Sequence, residues 1–328
     1  MGNNITIADV AEALGVSKTT VSRAISGKGR ISEATRQRVL NYIDEHDYKP
    51  NVIARGLAQS KTFNLCVVMP SNYALVDLPF FQEVIAGIQE IAAMNEYDIL
   101  LCICEENDVS SLERILRNGK VDGVVLLRTF LHDAQIELLN EKKIPFVTTG
   151  STTYKKVKQV DNDHESACRE LTSILLMRGM KRIALLGGSE SYVVTQNRYK
   201  GYIEAYEQMQ QNMDESLVYM NLETKPFIDR AVEDALDKKA DCILCMDDAI
   251  CSQVLRKLRQ EHVKVPDDVK VASFYNSSVL ENSIPSLSFN AKELGMEACK
   301  NLLAQIENEK VPDRTLLSYE VVLKESTK

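Results

Sequence analysis

Over roughly the first fifty residues, apolar side chains recur at three- and four-residue spacing, and polar stops cut the pattern into three short helices. In TIADVAEALGVSKTTVSRAISGKGRISEATRQRVLNYIDEHDY, Thr6 caps the first helix, Asp9 takes the capping-box position, and Ile7, Val10, Ala11 and Leu14 face inward. Gly15 ends that helix through a left-handed cap, Val16 bridges the gap, and Ser17 caps the second helix. Such close spacing predicts a helix-turn-helix. A third helix is expected from Ser32, with Val39, Leu40 and Ile43 roofing the other two.

From Phe63 the period changes. Short apolar runs alternate with helical stretches: NLCVVMP, FFQEVIAGIQEIAAMN, YDILLCI, a helix ending at Asn118, then GVVLL. This βαβαβ series predicts a parallel sheet with helices on both faces. A second series follows VDNDHES: a helix containing Leu171 to Met177, then RIALLGG, a helix from about Arg198, CILCM, another helix and VKVASF. Two such lobes form a cleft. The chain therefore divides into a helical head at 1–49, a hinge helix and linker at 50–62, and an α/β body at 63–328.

Composition fits this division. A chain of 328 residues predicts two or three compact units, and 45% hydrophobic with 26% charged residues excludes extensive disorder. MGNNITIADVAEALG has no basic segment followed by an apolar run, and no stretch of about 18 apolar residues occurs, so a cytoplasmic location off the membrane is expected. Of the eight cysteines, Cys66, Cys102, Cys104, Cys242 and Cys245 lie in strand-like runs and read as free thiols packed as small hydrophobes. Cys242 and Cys245 have metal-like spacing, but no second pair or nearby histidine completes a zinc site. No metal and no cofactor are expected.

The net charge of −8 argues against nucleic acid only when taken whole. Residues 1–62 carry nine Lys/Arg and six Asp/Glu, a balance of +3, which leaves −11 for the rest. A basic head is attracted to phosphate while an acidic body is repelled. In a helix-turn-helix the second helix enters the major groove and presents its first residues to base edges. Lys18, Thr19 and Arg23 are those residues, and Lys and Arg can donate to guanine O6 and N7. Taken singly they would be solvated helix charges; the turn aims them outward together. Thr20, Ser22, Ser26 and Thr6 are placed to fix register on phosphates, and Ser17, Ser32 and Thr35 complete the candidate set.

In YKPNVIARGLAQSKT, Pro50 stops the third helix and Asn51 can cap a short helix carrying Val52, Ile53, Ala54 and Leu57. It is too brief to stand alone in water, so the segment is either a plain linker or a helix that orders against a partner. Here the chain resembles the LacI/GalR family of bacterial transcription repressors, through DVAEALGVSKTTVSRAISG, ISEATRQRV, YKPN and ARGLA, and the match continues through the whole chain. The resemblance implies an all-α helix-turn-helix head with a hinge helix, on a body of two doubly wound parallel-sheet lobes like those of periplasmic binding proteins. It also implies a hinge helix that folds when two subunits meet on operator DNA, with Asn51, Arg55, Leu57 and Ala58 as DNA contacts. Leu57 of each chain would wedge between base pairs.

Ligands of open parallel sheets sit beyond the carboxyl ends of the strands. Candidates there are Ser71, Asn72, Asp77, Phe80, Arg128, Asn162, Arg198, Asp247, Asp248, Tyr275 and Asn276. By resemblance, RYKGY carries Arg198 over as an effector contact and CMDDA places Asp247 and Asp248 at the cleft rim, where either binds hydroxyls or caps the following helix. In VASFYNSS the chain departs from the family: Tyr275 and Asn276 stand where sugar-binding members have Gly-Tyr-Asp-Asp, so a sugar or sugar derivative is implied but an ordinary hexose is less favoured. The resemblance also makes ELGMEACKNLLAQI a helix crossing back to the first lobe and puts a final strand near Leu316 to Leu323. The lobes then comprise about 63–161 with 290–317, and about 162–289 with 318–328, joined by three crossovers.

Two other classes fit less well. A transporter's solute-binding protein shares the two-lobed body but needs a signal peptide and no DNA-reading head. An enzyme would call for features not found here: G-x-G-x-x-G after the first strand, a P-loop or a nucleophile elbow. Of the scattered His46, His132, His164 and His262, only His164, beside Asp161, Asp163 and Glu165, forms a suggestive cluster, and a solvated helix start accounts for it. The expected function is an allosteric repressor of carbohydrate metabolism that binds a palindromic operator as a homodimer, with an effector that either releases or tightens DNA. LKESTK carries no leucine heptads, which favours a dimer over a tetramer.

Overall fold

The computed structural model describes residues 5–26, 29–46, 56, 59–71, 79–277, 280 and 284–324. Asn51, Arg55, Leu57, Ala58, Asn72 and Asp77, and with them the hinge helix, lie outside the described residues, as does the Ser26 side chain. The chain forms two compact units, Met1–Thr62 and Phe63–Lys328.

The first unit holds α1 (Ile7–Leu14), α2 (Lys18–Ser26) and α3 (Glu33–Glu45). Thr6 and Asp9 form a reciprocal capping box, in which the Thr6 amide donates to Asp9 at 2.7 Å, and Gly15 closes α1 at φ 64°. Only Gly enters that region without strain. The core is small: Val10, Ala11, Val21, Ala24 and Val39, with Ile7, Leu14, Val16, Tyr42 and Ile43 packed around it. Tyr42 takes the place expected for Leu40, because the inward stripe runs through Val39, Tyr42 and Ile43 at i, i+3, i+4.

The second unit contains two six-stranded sheets wound in the same order. The first comprises β1 (Asn64–Pro70), β2 (Asp98–Cys104), β3 (Gly123–Leu126), β4 (Phe146–Thr149), β5 (Lys158–Asn162) and β11 (Arg314–Leu317), ordered β11-β5-β4-β3-β1-β2. The second comprises β6 (Ile183–Leu186), β7 (Val218–Tyr219), β8 (Cys242–Cys245), β9 (Lys270–Ser273), β10 (Ser286–Phe289) and β12 (Tyr319–Val322), ordered β12-β10-β9-β8-β6-β7. All pairings are parallel except β10 with β12. Central strands such as β1 and β8 are apolar throughout because both faces are covered.

On one face of the first sheet pack α4 (Pro79–Met94) and α11 (Ala291–Ile306); on the other, α5 (Ser110–Arg117) and α6 (Ala134–Lys142). The second sheet is covered by α7 (His164–Met177) and α8 (Val193–Gln208) on one face, and by α9 (Lys225–Asp237) and α10 (Asp248–Gln260) on the other. Two helix pairs meet at glycine. A Cβ on Gly87 would lie 2.0 Å from the Lys292 carbonyl oxygen, one on Gly295 would lie 2.0 Å from that of Val84, and one on Gly201 would lie 2.3 Å from that of Glu165.

Three expectations are corrected. The helix placed from about Arg198 starts at Val193. The single final strand is two, β11 and β12, separated by Ser318 and belonging to different sheets. The first series continues through α6, β4 and β5, which the sequence pattern had not resolved because β4 ends in two threonines and four of the five residues of β5 are polar. The chain passes between sheets after β5, after β10 and at Ser318. All eight cysteines are buried and free. Among the described residues no helix is long and apolar enough to cross a membrane.

Candidate functional site

In the first unit, α2 buries Val21 and Ala24 and leaves Lys18, Thr19, Ser22 and Arg23 exposed. No acidic side chain stands in its first turn to pair with Lys18. Ser17 Oγ accepts the Thr20 amide at 3.1 Å and lies 2.8 Å from the Thr20 hydroxyl; Ser32 and Thr35 repeat the arrangement at the start of α3. Thr6, Ser17, Thr20, Ser32 and Thr35 therefore act first as helix-terminal hydroxyls, and this fixes the amides that a phosphate would meet. The Arg23 stem lies against Gly29, where a Cβ would come within 3.0 Å of Arg23 Cδ. Gly29 gives that side chain its room, a role the sequence pattern did not signal.

In the second unit a cavity of about 460 Å³ opens between the two sheets. Its position follows from the winding: strand order reverses between β1 and β3 and between β6 and β8, and the loops after β3, β6 and β8 diverge there. Those loops supply Arg128 and Thr129, Gly188 and Ser189, and Asp247 and Asp248 to the lining. Of the expected effector residues, Phe80, Arg128, Arg198, Asp247 and Tyr275 line the cavity, as does Asp248. Ser71, Asn276 and Asn162, which is buried at the end of β5, do not. Ser71 is exposed and its amide bonds to the Cys104 carbonyl; Asn276 is half-buried, one position past the wall formed by Tyr275.

Cations on opposite sides of the cavity are held in place. The Arg128 guanidinium lies 4.6 Å from the Tyr192 ring centre and 5.3 Å from that of Phe81, a cation–π arrangement on two faces. Arg198, on α8, donates through Nη1 to the Met246 carbonyl, and its buried Nε has no hydrogen-bond partner among the described residues. The question of the two aspartates resolves by atom. Asp247 caps α10, its Oδ1 accepting the Ile250 amide at 2.8 Å. Asp248 is buried with Ser277 against its carboxyl and with Oδ2 lacking a hydrogen-bond partner among the described residues, and burial pushes its carboxyl above the usual range. Tyr275 is buried edge-on to Phe80 at 5.5 Å, and burial raises its phenol. The cavity thus combines aromatic walls with donors and acceptors that water or a polar ligand must satisfy.

His164 corrects the sequence reading. It does begin a helix, with Asp163 as cap, but it is buried and lines the cavity, whereas His46, His132 and His262 are exposed. Its Nε2 lies 3.5 Å from Asp161 Oδ1, and its Nδ1 has no hydrogen-bond partner among the described residues. Burial, then Arg198 and Arg128, hold the imidazole neutral well below 6.5. Asp161 is raised by burial in spite of accepting the Ser151 amide and hydroxyl. Asp161, His164 and Tyr192 were missed as site residues; the acidic run VDNDHE was the only available signal, and it reads equally as a solvated helix start.

A sign follows for pH. The unfolded chain takes up a proton at His164 near its usual 6.5, before the folded chain can, so the stability tied to the neutral ring is present above 6.5 and is lost as pH falls below it. His164→Asn is expected to flatten the acid-side decline of the unfolding midpoint between about pH 7 and about pH 5. An unchanged slope would place the proton elsewhere.

Besides the three crossings and the Arg128–Tyr192 and Phe80–Tyr275 contacts, the two lobes meet at a short antiparallel bridge, Phe130 with Tyr192, where the Leu131 amide donates to the Ser191 carbonyl at 2.9 Å and the Val193 amide to that of Thr129 at 3.2 Å, with the Ser191 hydroxyl donating to Glu106 at 3.1 Å.

A helix-turn-helix head and a two-lobed body enclosing a polar cavity define a DNA-binding transcriptional regulator. Residues 6–51 match the model of bacterial regulatory proteins, lacI family, and residues 172–327 that of the periplasmic binding protein-like domain. The HTH-type transcriptional regulator MalR of Streptococcus pneumoniae is 30% identical over 330 residues, covering 98% of this chain and 99% of that protein. The transcriptional regulator CelR, solved as a cellobiose complex, is 28% identical with a TM-score of 0.74 and coverage of 98% and 99%. The lac repressor dimer bound to operator and an anti-inducer has the same fold, with a TM-score of 0.78 at 21% identity over 99% of both chains. The chain belongs to the lacI family of bacterial regulatory proteins.

Proposed function

We propose that the chain is a transcriptional repressor of the bacterial cytoplasm that binds a palindromic operator as a homodimer and is switched by a saccharide in the cavity between its lobes. The observation that carries the effector reading is the set of buried polar atoms at the cavity that have no hydrogen-bond partner among the described residues, Asp248 Oδ2, Arg198 Nε and His164 Nδ1, beside the Phe80 and Tyr275 rings. Apolar ring faces with charged and neutral hydrogen-bonding groups suit a polyhydroxylated ligand. CelR's cellobiose supports the same class.

Exposed Leu101 and Ile103 on the edge strand β2, with Met94 on α4, support pairing of two bodies, as in the lac repressor dimer. Two-fold protein symmetry then calls for two-fold symmetric DNA. Lys18, Thr19 and Arg23 read base edges, and Thr6, Ser17, Thr20, Ser22, Ser26, Ser32 and Thr35 set register on phosphates. Asn51, Arg55, Leu57 and Ala58 act from the hinge.

Selection of duplexes from a random library by the full-length protein, followed by gel shift, is expected to return an inverted repeat whose affinity falls steeply with salt. Thermal shift with cellobiose and maltose is expected to raise the melting temperature, and one of them to change operator affinity. Absence of sequence preference would overturn the DNA reading; a saccharide turned over by the protein would overturn the regulatory one.

A further inference from the structure

Each of the three crossings between the lobes places a ring beside the next. His164 opens α7 just after the first crossing, Phe289 ends β10 just before the second, and Tyr319 opens β12 just after the third. The His164 ring centre lies 4.9 Å from that of Phe289, and Phe289 lies 6.4 Å from Tyr319. The Tyr319 hydroxyl then donates to Glu170 on α7 at 2.8 Å, which returns the chain of contacts to the helix His164 begins. A polar path runs beside it. Asp161, 3.5 Å from His164, accepts the Ser151 hydroxyl at 2.7 Å, and Ser151 accepts Arg314, on β11 ahead of the third crossing, at 3.2 Å.

His164 is also a wall of the cavity, and its Nδ1 is buried without a partner among the described residues. We propose that His164 is a positioning residue that carries occupancy of the cavity to all three crossings at once. A ligand group that bonds to Nδ1, or takes the space beside the ring, turns the imidazole against Phe289 and so bears on Tyr319, while Asp161 passes the displacement through Ser151 to Arg314. Close-packed rings do not absorb such a shift by compression; they change neighbours, and packed interfaces move between discrete arrangements. This rests on the reading of the cavity as the effector site.

Full-length protein labelled on its four histidines tests the inference in two arms. The His164 resonances are assigned by their loss in His164→Asn. Without ligand, Tyr319→Leu, two ring contacts away, is expected to shift the His164 imidazole and leave His46, His132 and His262 in place, since coupling is reciprocal; an unmoved His164 signal overturns the proposal. With cellobiose, then maltose, amide exchange in peptides 286–291 and 315–320 is expected to slow about tenfold in the wild type, within the usual coupling range. His164→Phe, which keeps a ring against Phe289 but offers no Nδ1, is expected to bind the sugar more weakly and, with sugar raised to saturation, to lose most of that slowing, and His164→Asn to recover part of it. Equal slowing in wild type and His164→Phe overturns the proposal. If the wild type binds neither disaccharide, the saccharide reading fails, and the ligand-free arm still decides the role of His164.

Discussion

Gly295→Ala is expected to destabilise the body by about 3 kcal/mol, the upper part of the range for overpacking a close-packed contact. In a unit of this size that lowers the thermal midpoint on the order of 10 °C. The new methyl would sit 2.0 Å from the Val84 carbonyl oxygen, and the obstacle is backbone, so no side-chain rotation relieves it. The reciprocal Gly87→Ala, 2.0 Å from the Lys292 carbonyl oxygen, should cost as much. Because both substitutions push apart the same two helices, the double variant should lose less than the sum of the two. Gly188→Ala is the control: its nearest neighbour, Asp247 Oδ2, is at 3.9 Å, an ordinary contact. Equal midpoints for Gly188→Ala and Gly295→Ala in urea or thermal denaturation would refute the close crossing of α4 and α11.

Lys18→Ala combined with Arg23→Ala is expected to weaken specific operator binding on the order of 100-fold or more, since each good base contact is worth about 1–3 kcal/mol of discrimination. Both side chains are exposed and neither belongs to the Val10–Val21–Val39 core, so the melting profile should be unchanged. Binding to random duplex should fall much less. Fluorescence anisotropy with the selected operator and a scrambled duplex separates the two effects. Operator affinity that survives the double substitution would remove α2 from sequence reading.

The helical head was legible almost to the residue. Capping residues and glycines act locally, and Thr6, Asp9, Gly15 and Ser17 do what their side chains do in any short helix. The one error there, Leu40 for Tyr42, came from treating an amphipathic ring as surface. In the body, uninterrupted apolar runs disclosed β1, β2 and β8, but β4, with two threonines, and β5, with four polar residues of five, did not stand out. Arg198 stood among the candidates beyond the strands' carboxyl ends, and the resemblance of RYKGY to a family segment singled it out; periodicity alone places it on a helix and no more. His164 was misread because burial at a crossing depends on Phe289, which is more than a hundred residues away in the chain. Such positions are fixed by tertiary contact, and no local pattern announces them.

The bridge between Phe130 and Tyr192 bears on how readily the two halves can part. It consists of two amide–carbonyl bonds, and at its outer end Leu131 is exposed, so water can replace the bond it gives up. Each such exchange costs only about 0.5–1.5 kcal/mol net. These main-chain bonds therefore hold the halves only weakly, beside the Ser191 hydroxyl bond to Glu106 and the Arg128–Tyr192 and Phe80–Tyr275 contacts, and a ligand that touches both sides adds to the same balance without needing to hold the protein permanently shut.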